Sequence, residues 1–200
     1  MFVKICGINS EDAAAAAVAA GADALGFVFA ESPREVTPER ARELCAAVPP
    51  GITRVAVLRH PPADLVRRVL EVFEPDWLQT DAEDFEVARV PAELAERFTA
   101  LPVYRNGAAM PSPLPPRLLF EGAVSGSGTT ANWDEAAGLA ARTQLILAGG
   151  LDADNVGDAI RRVRPWGVDV SSGVERRRGL KDPQKIREFV ARARAVEEKR

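Results

Sequence analysis

Apolar residues in this chain fall into short continuous runs separated by stretches in which they recur every three or four positions. That is the alternation of buried strands with amphipathic helices. The run from Val3 to Ile8 is broken by Gly7, and Asn9 and Ser10 stand as capping residues ahead of Glu11, Asp12 and an alanine-rich helix that stops at Gly21. Ala24 to Phe29 forms a second strand, a polar loop runs from Ala30 to Val36, and Thr37 with Pro38 opens a second helix ending near Val48. Strands three to eight are expected at Ile52–Leu58, Trp77–Gln79, Pro102–Tyr104, Leu118–Glu121, Gln144–Ala148 and Gly167–Val170. Helices are expected over Ala63–Val72, Pro91–Phe98, Asp134–Arg142, Asp154–Val163 and from Pro183 to about Glu198. Between Asn106 and Pro116 there are four prolines and no helical period, so a loop replaces the helix that would follow the fifth strand.

Eight strands in 200 residues leave roughly 25 residues per strand-helix unit, the compact limit of a (βα)8 barrel. The expectation is an α/β fold, one (βα)8 TIM-barrel domain over residues 1–200 with its fifth helix missing. A doubly wound open sheet also alternates strand and helix, but a count of eight with no strand left over favours closure. In both folds the carboxyl ends of the strands carry the chemistry.

Composition narrows that chemistry. With 46% hydrophobic and 28% charged residues the chain is an ordinary globular one, and a net charge of -3 without any block of like charges offers no footprint for nucleic acid or an acidic membrane. A small-molecule partner is expected, with the chain a monomer or homodimer. No apolar run has the length of a membrane span and no signal-peptide pattern is visible, which points to the cytoplasm. The single histidine, His60, lies in a loop ahead of two prolines and excludes a multi-histidine metal site. None of the four lysines, Lys4, Lys181, Lys185 and Lys199, is expected at a strand exit, which argues against Schiff-base catalysis by lysine. Cys45 falls in an apolar helical pattern and reads as core.

Cys6, at the end of the first strand, is either a base or a small buried apolar residue. Glu121, at the end of the sixth, is either an acid in the barrel mouth or a solvated strand-end residue. Together they would face a bound sugar from opposite sides, one donating a proton and the other removing one. Arg34, after the second strand, suits a substrate carboxylate in bidentate fashion and, with helix amino ends, would help the thiol ionise; the alternative is a surface arginine. Asp169, inside the eighth strand, needs a partner, either a substrate amine or hydroxyl or an arginine in the barrel wall. Three loops contain glycine: Gly126, Ser127 and Gly128 after strand six, Gly149 and Gly150 after strand seven, and Ser171, Ser172 and Gly173 after strand eight. Each alone is an ordinary turn, but at three successive strand ends they read as a phosphate site built from backbone N–H groups.

At these residues the sequence resembles the phosphoribosylanthranilate isomerases of tryptophan biosynthesis, over essentially the whole chain. The resemblance rests on Lys4-Ile5-Cys6-Gly7-Ile8, on Gly26-Phe27 with Ser32-Pro33-Arg34, and on Leu147-Ala148-Gly149-Gly150-Leu151 with Asn155-Val156. It continues through Val168-Asp169-Val170-Ser171-Ser172-Gly173-Val174-Glu175 to Gly179 and Lys181-Asp182. It implies an Amadori rearrangement that needs no cofactor, with Cys6 as general base, Glu121 where the family has an aspartate acid, Arg34 on the anthranilate carboxylate and the late glycine loops on the phosphate. Three features depart from the family pattern. Glu121 is longer than aspartate by a methylene, Gln79-Thr80-Asp81-Ala82 replaces Gln-Leu-His-Gly, and Ala56 and Leu58 stand where Gly and Phe are usual. Alternative readings are a sugar-phosphate-binding barrel with lost or altered activity, which draws on these departures, and the related aminoaldose isomerase of histidine biosynthesis, which is expected to use paired aspartates and is disfavoured by Cys6.

Overall fold

Strand β1 (Phe2–Cys6) pairs in parallel with both β2 (Ala24–Val28) and β8 (Gly167–Val170), and that double pairing closes the sheet. The computed structural model describes residues 1–87, 89–122 and 131–197. Around the barrel between these strands come β3 (Thr53–Val57), β4 (Trp77–Asp81), β5 (Thr99–Arg105), β6 (Arg117–Glu121) and β7 (Gln144–Leu147), each parallel to its neighbours. The closed barrel expected from the strand count is therefore observed, and Cys6 and Glu121 do end β1 and β6.

The helices follow from local signals. Ser10 caps α1 (Glu11–Ala19) by accepting from Ala13 N, and the buried Ala13, Ala14, Ala16 and Ala17 let this helix lie close on the sheet. Thr37 caps α2 (Pro38–Cys45), whose Pro38 sits where no N–H is needed. The apolar stripe of α3 (Ala63–Val72) buries Val66, Val69 and Leu70. Asn132 caps α5 (Trp133–Ala140), and α6 (Val156–Val163) begins two residues later than expected because Asp154 and Asn155 belong to the turn that Asp152 organises. The last helix, α7 (Pro183–Glu197), is tied to the start of the chain through Arg194, which reaches Met1 O, Gly21 O and Asp23.

The fourth unit differs from expectation. A short α4 (Ala82–Glu86) follows β4 directly, and the stretch read as a helix from Pro91 to Phe98 is a 3-10 turn over Ala92–Arg97 with no buried residue. Without an apolar stripe to dock, that segment has little to hold a longer helix. Residues 106–116 contain no helix, as the prolines require. A hairpin of β9 (Glu175–Arg177) and β10 (Leu180–Lys181), turning at Gly179, was not expected from the sequence.

Two apolar layers hold the barrel. The larger lies between sheet and helices, with Phe27, Leu25, Leu70, Phe73, Leu118 and Phe189 among its fully buried side chains. The smaller fills the barrel with Leu101, Val103, Leu119, Ile146 and Ala148. At the amino ends of the strands Phe2 stacks on Trp77 and Trp166 at 5.3 and 4.6 Å, and the Arg117 guanidinium lies 4.3 and 4.5 Å from the two indole centroids. That end is plugged, which leaves the carboxyl ends of the strands as the mouth.

Candidate active site

Residues two apart in a strand share a face, so Lys4 turns to the same side as Cys6. Lys4 is fully buried, and its Nζ lies 2.9 Å from Oδ1 of Asp169, its register partner on β8. Asp169 therefore pairs with a lysine of the adjoining strand, where the sequence had left open a substrate amine or hydroxyl or an arginine. Gly26 of β2 completes this corner, because a Cβ there would stand 3.0 Å from Cys6 Sγ and 3.1 Å from Lys4 Nζ. Burial alone would lower the Lys4 pKa, but the charges of Asp169 and Cys6 outweigh it and raise it. Burial pushes the Cys6 thiol up, reinforced by Asp169 and opposed by Lys4 and Lys181. The cations that favour a thiolate are thus these two lysines and not Arg34.

Arg34 is buried and forks onto Glu175, with Nε 2.6 Å from Oε1 and Nη2 3.1 Å from Oε2. Nη1 makes no hydrogen bond to the described residues, so that corner of the guanidinium remains for a ligand. Glu175 also accepts from Lys181 Nζ at 2.9 Å and Gly179 N at 3.0 Å. Burial would raise the Glu175 pKa, yet Arg34, Lys181 and the Gly179 N–H bring it down to about 2. The hairpin β9–β10 thereby braces the loop after β2; a Cβ on Gly179 would come within 2.5 Å of Pro33 O. Gly7, with φ +79°, lets the β1 loop pass between Arg34 Cδ, 2.6 Å from an added Cβ, and Ser171 Oγ, at 3.2 Å.

The loops after β7 and β8 touch each other. An added Cβ on Gly173 would lie 2.0 Å from Leu151 O, so only glycine permits that approach. Gly149 and Gly150 have φ of 85° and 64°. The Asn155 amide donates to Gly150 O at 2.8 Å, and its Oδ1 accepts from Asp152 N at 3.0 Å. Lys181 Nζ reaches Ser171 O at 2.8 Å and Ser171 Oγ at 3.2 Å, while Ser172 and Gly173 begin a single 3-10 turn. The candidate loop Gly126, Ser127 and Gly128 lies outside the described residues.

On the other side of the mouth, Glu121 Oε1 is 3.0 Å from Arg105 Nη2, and Asp81 Oδ1 is 2.6 Å from the same nitrogen. Those carboxylates outweigh the effect of burial and raise the Arg105 pKa. His60 enters from the loop after β3, with φ +45°, its Nε2 3.3 Å from Asp81 Oδ2 and its Nδ1 2.9 Å from Asp84 Oδ1. The chain's one histidine thus meets the aspartate that stands at position 81 of the linear motif. Burial would raise the Asp84 pKa, but hydrogen bonds from Thr80 and His60 lower it.

Sequence reasoning did not place Lys4, Glu175, Arg105 or His60 in the mouth, and met Asp81 only as a departure from the family motif. Lys4 was legible from its two-residue spacing to Cys6. Arg105 and Asp81 were not placed there because the fifth and fourth strands run to Arg105 and Asp81, beyond the expected ends at Tyr104 and Gln79. Glu175 was legible only as the end of the eighth-unit motif, with no sign of the cations it would meet. The arrangement places a thiol beside an ammonium on β1 and a carboxyl beside a guanidinium on β6, strands separated by β8 and β7. Two side chains capable of proton transfer thus flank the barrel mouth.

The family model for N-(5'-phosphoribosyl)anthranilate (PRA) isomerase matches residues 3–192. The N-(5'-phosphoribosyl)anthranilate isomerase of Pelobacter propionicus is 43% identical over 202 residues, 94% of this chain and 93% of that one. A phosphoribosyl anthranilate isomerase structure from Thermus thermophilus superposes with a TM-score of 0.84 at 35% identity, over 98% of this chain and 100% of its own. A second isomerase structure, solved with reduced 1-(o-carboxyphenylamino)-1-deoxyribulose 5-phosphate, has a TM-score of 0.81 at 31% identity, over 98% and 99% of the two chains.

Proposed function

The chain belongs to the N-(5'-phosphoribosyl)anthranilate isomerase family, and on that premise we propose that Cys6 and Glu121 are the base and acid of its reaction. The reaction converts N-(5-phosphoribosyl)anthranilate to 1-(2-carboxyphenylamino)-1-deoxyribulose 5-phosphate, an aldose-ketose isomerisation in tryptophan biosynthesis. Glu121 gives its proton to the furanose ring oxygen as the C1–O bond breaks and the anilino nitrogen forms the Schiff base. The Cys6 thiolate then takes the proton from C2, leaving an enolamine. Protonation at C1 and loss of the hydroxyl proton at C2 give the ketone. Nothing in this sequence requires a metal or a cofactor.

The observation that carries the assignment is that Cys6 and Glu121 end β1 and β6 of one closed barrel, each beside a cation. Lys4 and Lys181 offset the cost of a buried thiolate. Nη1 of Arg34, aimed by Glu175, is the proposed contact for the anthranilate carboxylate. The loops at Gly149, Gly150, Ser171, Ser172 and Gly173 receive the phosphate, and Asp169 meets the substrate amine or hydroxyl from beside Lys4. No helix of the described chain is long and apolar enough to cross a membrane, which fits the proposed cytoplasmic location.

The test is the fluorescence decay of freshly generated phosphoribosylanthranilate with purified protein, compared with Cys6→Ser and Glu121→Gln. Both variants are expected to lose activity by about a hundredfold or more while still binding a product analogue. Near-normal turnover in either one removes that residue from the mechanism.

A further inference from the structure

Glu121 is not held by Arg105 alone, because Arg105 Nη2 sits between two carboxylates and is nearer to Asp81, at 2.6 Å, than to Glu121, at 3.0 Å. Asp81 in turn is met by His60 Nε2 at 3.3 Å, and the same ring is anchored through Nδ1 to the fully buried Asp84. Asp84 is itself fixed by Thr80 Oγ1, by the His60 backbone N–H at 2.9 Å and by Arg89 Nε at 3.4 Å. His60, Asp81 and Asp84 bring ligand-type atoms within 4.8 Å of one another. However, a metal ion among them would have to sit beside the Arg105 and Arg89 guanidinium groups, which already neutralise these carboxylates. The cluster is better described by its charges. Three carboxyl groups, Asp81, Asp84 and Glu121, face two arginines, Arg105 and Arg89, and one histidine.

We propose that Asp81 is a positioning residue for Glu121: held by His60, it occupies one side of the Arg105 guanidinium, so that Arg105 steadies the Glu121 carboxyl group without claiming it as a fully paired anion. The inference rests on Glu121 being the general acid. An acid must hold its proton until the ring oxygen takes it, and an arginine pairing with Glu121 alone would strip that proton early. Sharing the arginine with Asp81 weakens that pull, and the negative charge of Asp81 further disfavours a second carboxylate nearby. Once Glu121 has given up its proton, Arg105 is already in contact with the new anion. Among the described residues, the charged groups facing this path are His60 on the loop after β3, Asp81, Asp84 and Arg89 from β4 and the segment after it, Arg105 on β5 and Glu121 on β6. The next strand, β7, is followed by the buried, uncharged Ala148.

The experiment follows the carboxyl carbons of glutamates labelled with 13C by NMR across pH in the ligand-free protein. The Glu121 signal is assigned by its loss in Glu121→Gln. Asp81→Asn is expected to move the Glu121 titration down by about one pH unit, and Arg105→Gln to move it up. In Asp81→Asn/Arg105→Gln at least half of the downward shift should vanish, because Asp81 acts largely through Arg105. The limb of kcat/KM governed by the carboxyl, the acidic one because the thiol titrates higher, should move with the Glu121 signal in each variant. A Glu121 titration that Asp81→Asn leaves in place overturns the proposal, as does a downward shift in Arg105→Gln. Because the NMR readout does not depend on turnover, full activity in Glu121→Gln would reject Glu121 as the acid separately from these outcomes.

Discussion

At the scale of single residues, the decisive feature is that buried charges occur in sets. Glu175 is held by Arg34, Lys181 and Gly179 N, and its pKa falls from 4.5 to about 2. Glu175→Gln is expected to lower stability at neutral pH by about 3 kcal/mol, because two buried cations lose their counter-charge. A carboxylate depressed in the folded state contributes its stability fully above its unfolded pKa and loses it as pH falls through the folded value. The gap between wild type and Glu175→Gln in denaturant unfolding should therefore narrow between about pH 4.5 and about pH 2. Lys4 supplies a second residue-level expectation. Lys4→Met removes the ammonium that opposes burial at Cys6, so the thiol pKa should rise further, kcat/KM at neutral pH should fall, and its alkaline limb should move up by about one pH unit. An unmoved limb would show that the Lys4 charge does not act on the base.

At the scale of elements, the mouth depends on loops that lean on one another. The β7 and β8 loops meet at Gly173 and Leu151 O, and the hairpin β9–β10 presses on the loop after β2 through Gly179 and Pro33. Gly173→Ala places a Cβ where Leu151 O stands, with a separation of 2.0 Å unless the loops part. The expected result is at least a tenfold rise in KM for the phosphorylated substrate, with a smaller effect on kcat, measured in the fluorescence assay. A variant with unchanged KM would separate these loops from phosphate binding. The elements themselves were legible where a cap coincides with an apolar face, as in α1 and α2, or where the apolar stripe alone is strong, as in α3. They were misread where a helix has neither, as after β4.

At the scale of the whole molecule, the two ends of the barrel have separate duties. Phe2, Trp77, Trp166 and Arg117 close the amino-terminal end, away from Cys6 and Glu121 at the carboxyl ends of their strands. Trp166→Ala should cost about 3 kcal/mol or more through the cavity it leaves. At a temperature where the variant remains folded, kcat and KM should stay within about twofold of wild type, since no mouth residue moves. A large loss of kcat in a folded Trp166→Ala protein would mean that the two ends are mechanically coupled.

The amino-acid sequence by itself determined the eight strands, the loop in place of the fifth helix, and the strand-end positions of Cys6 and Glu121. Those features follow from local properties: apolar runs, capping residues, prolines that forbid a helix, and glycines at turns. Closure of the barrel decided the rest, because it sets side by side residues that are far apart in the chain. Lys4 meets Asp169, Arg34 meets Glu175, and His60 reaches Asp81 only once the strands have paired in register. The partner of a buried charge is a property of that register and of strand length. For this reason the sequence could show that Asp169 needed a partner, while only the tertiary structure could supply Lys4.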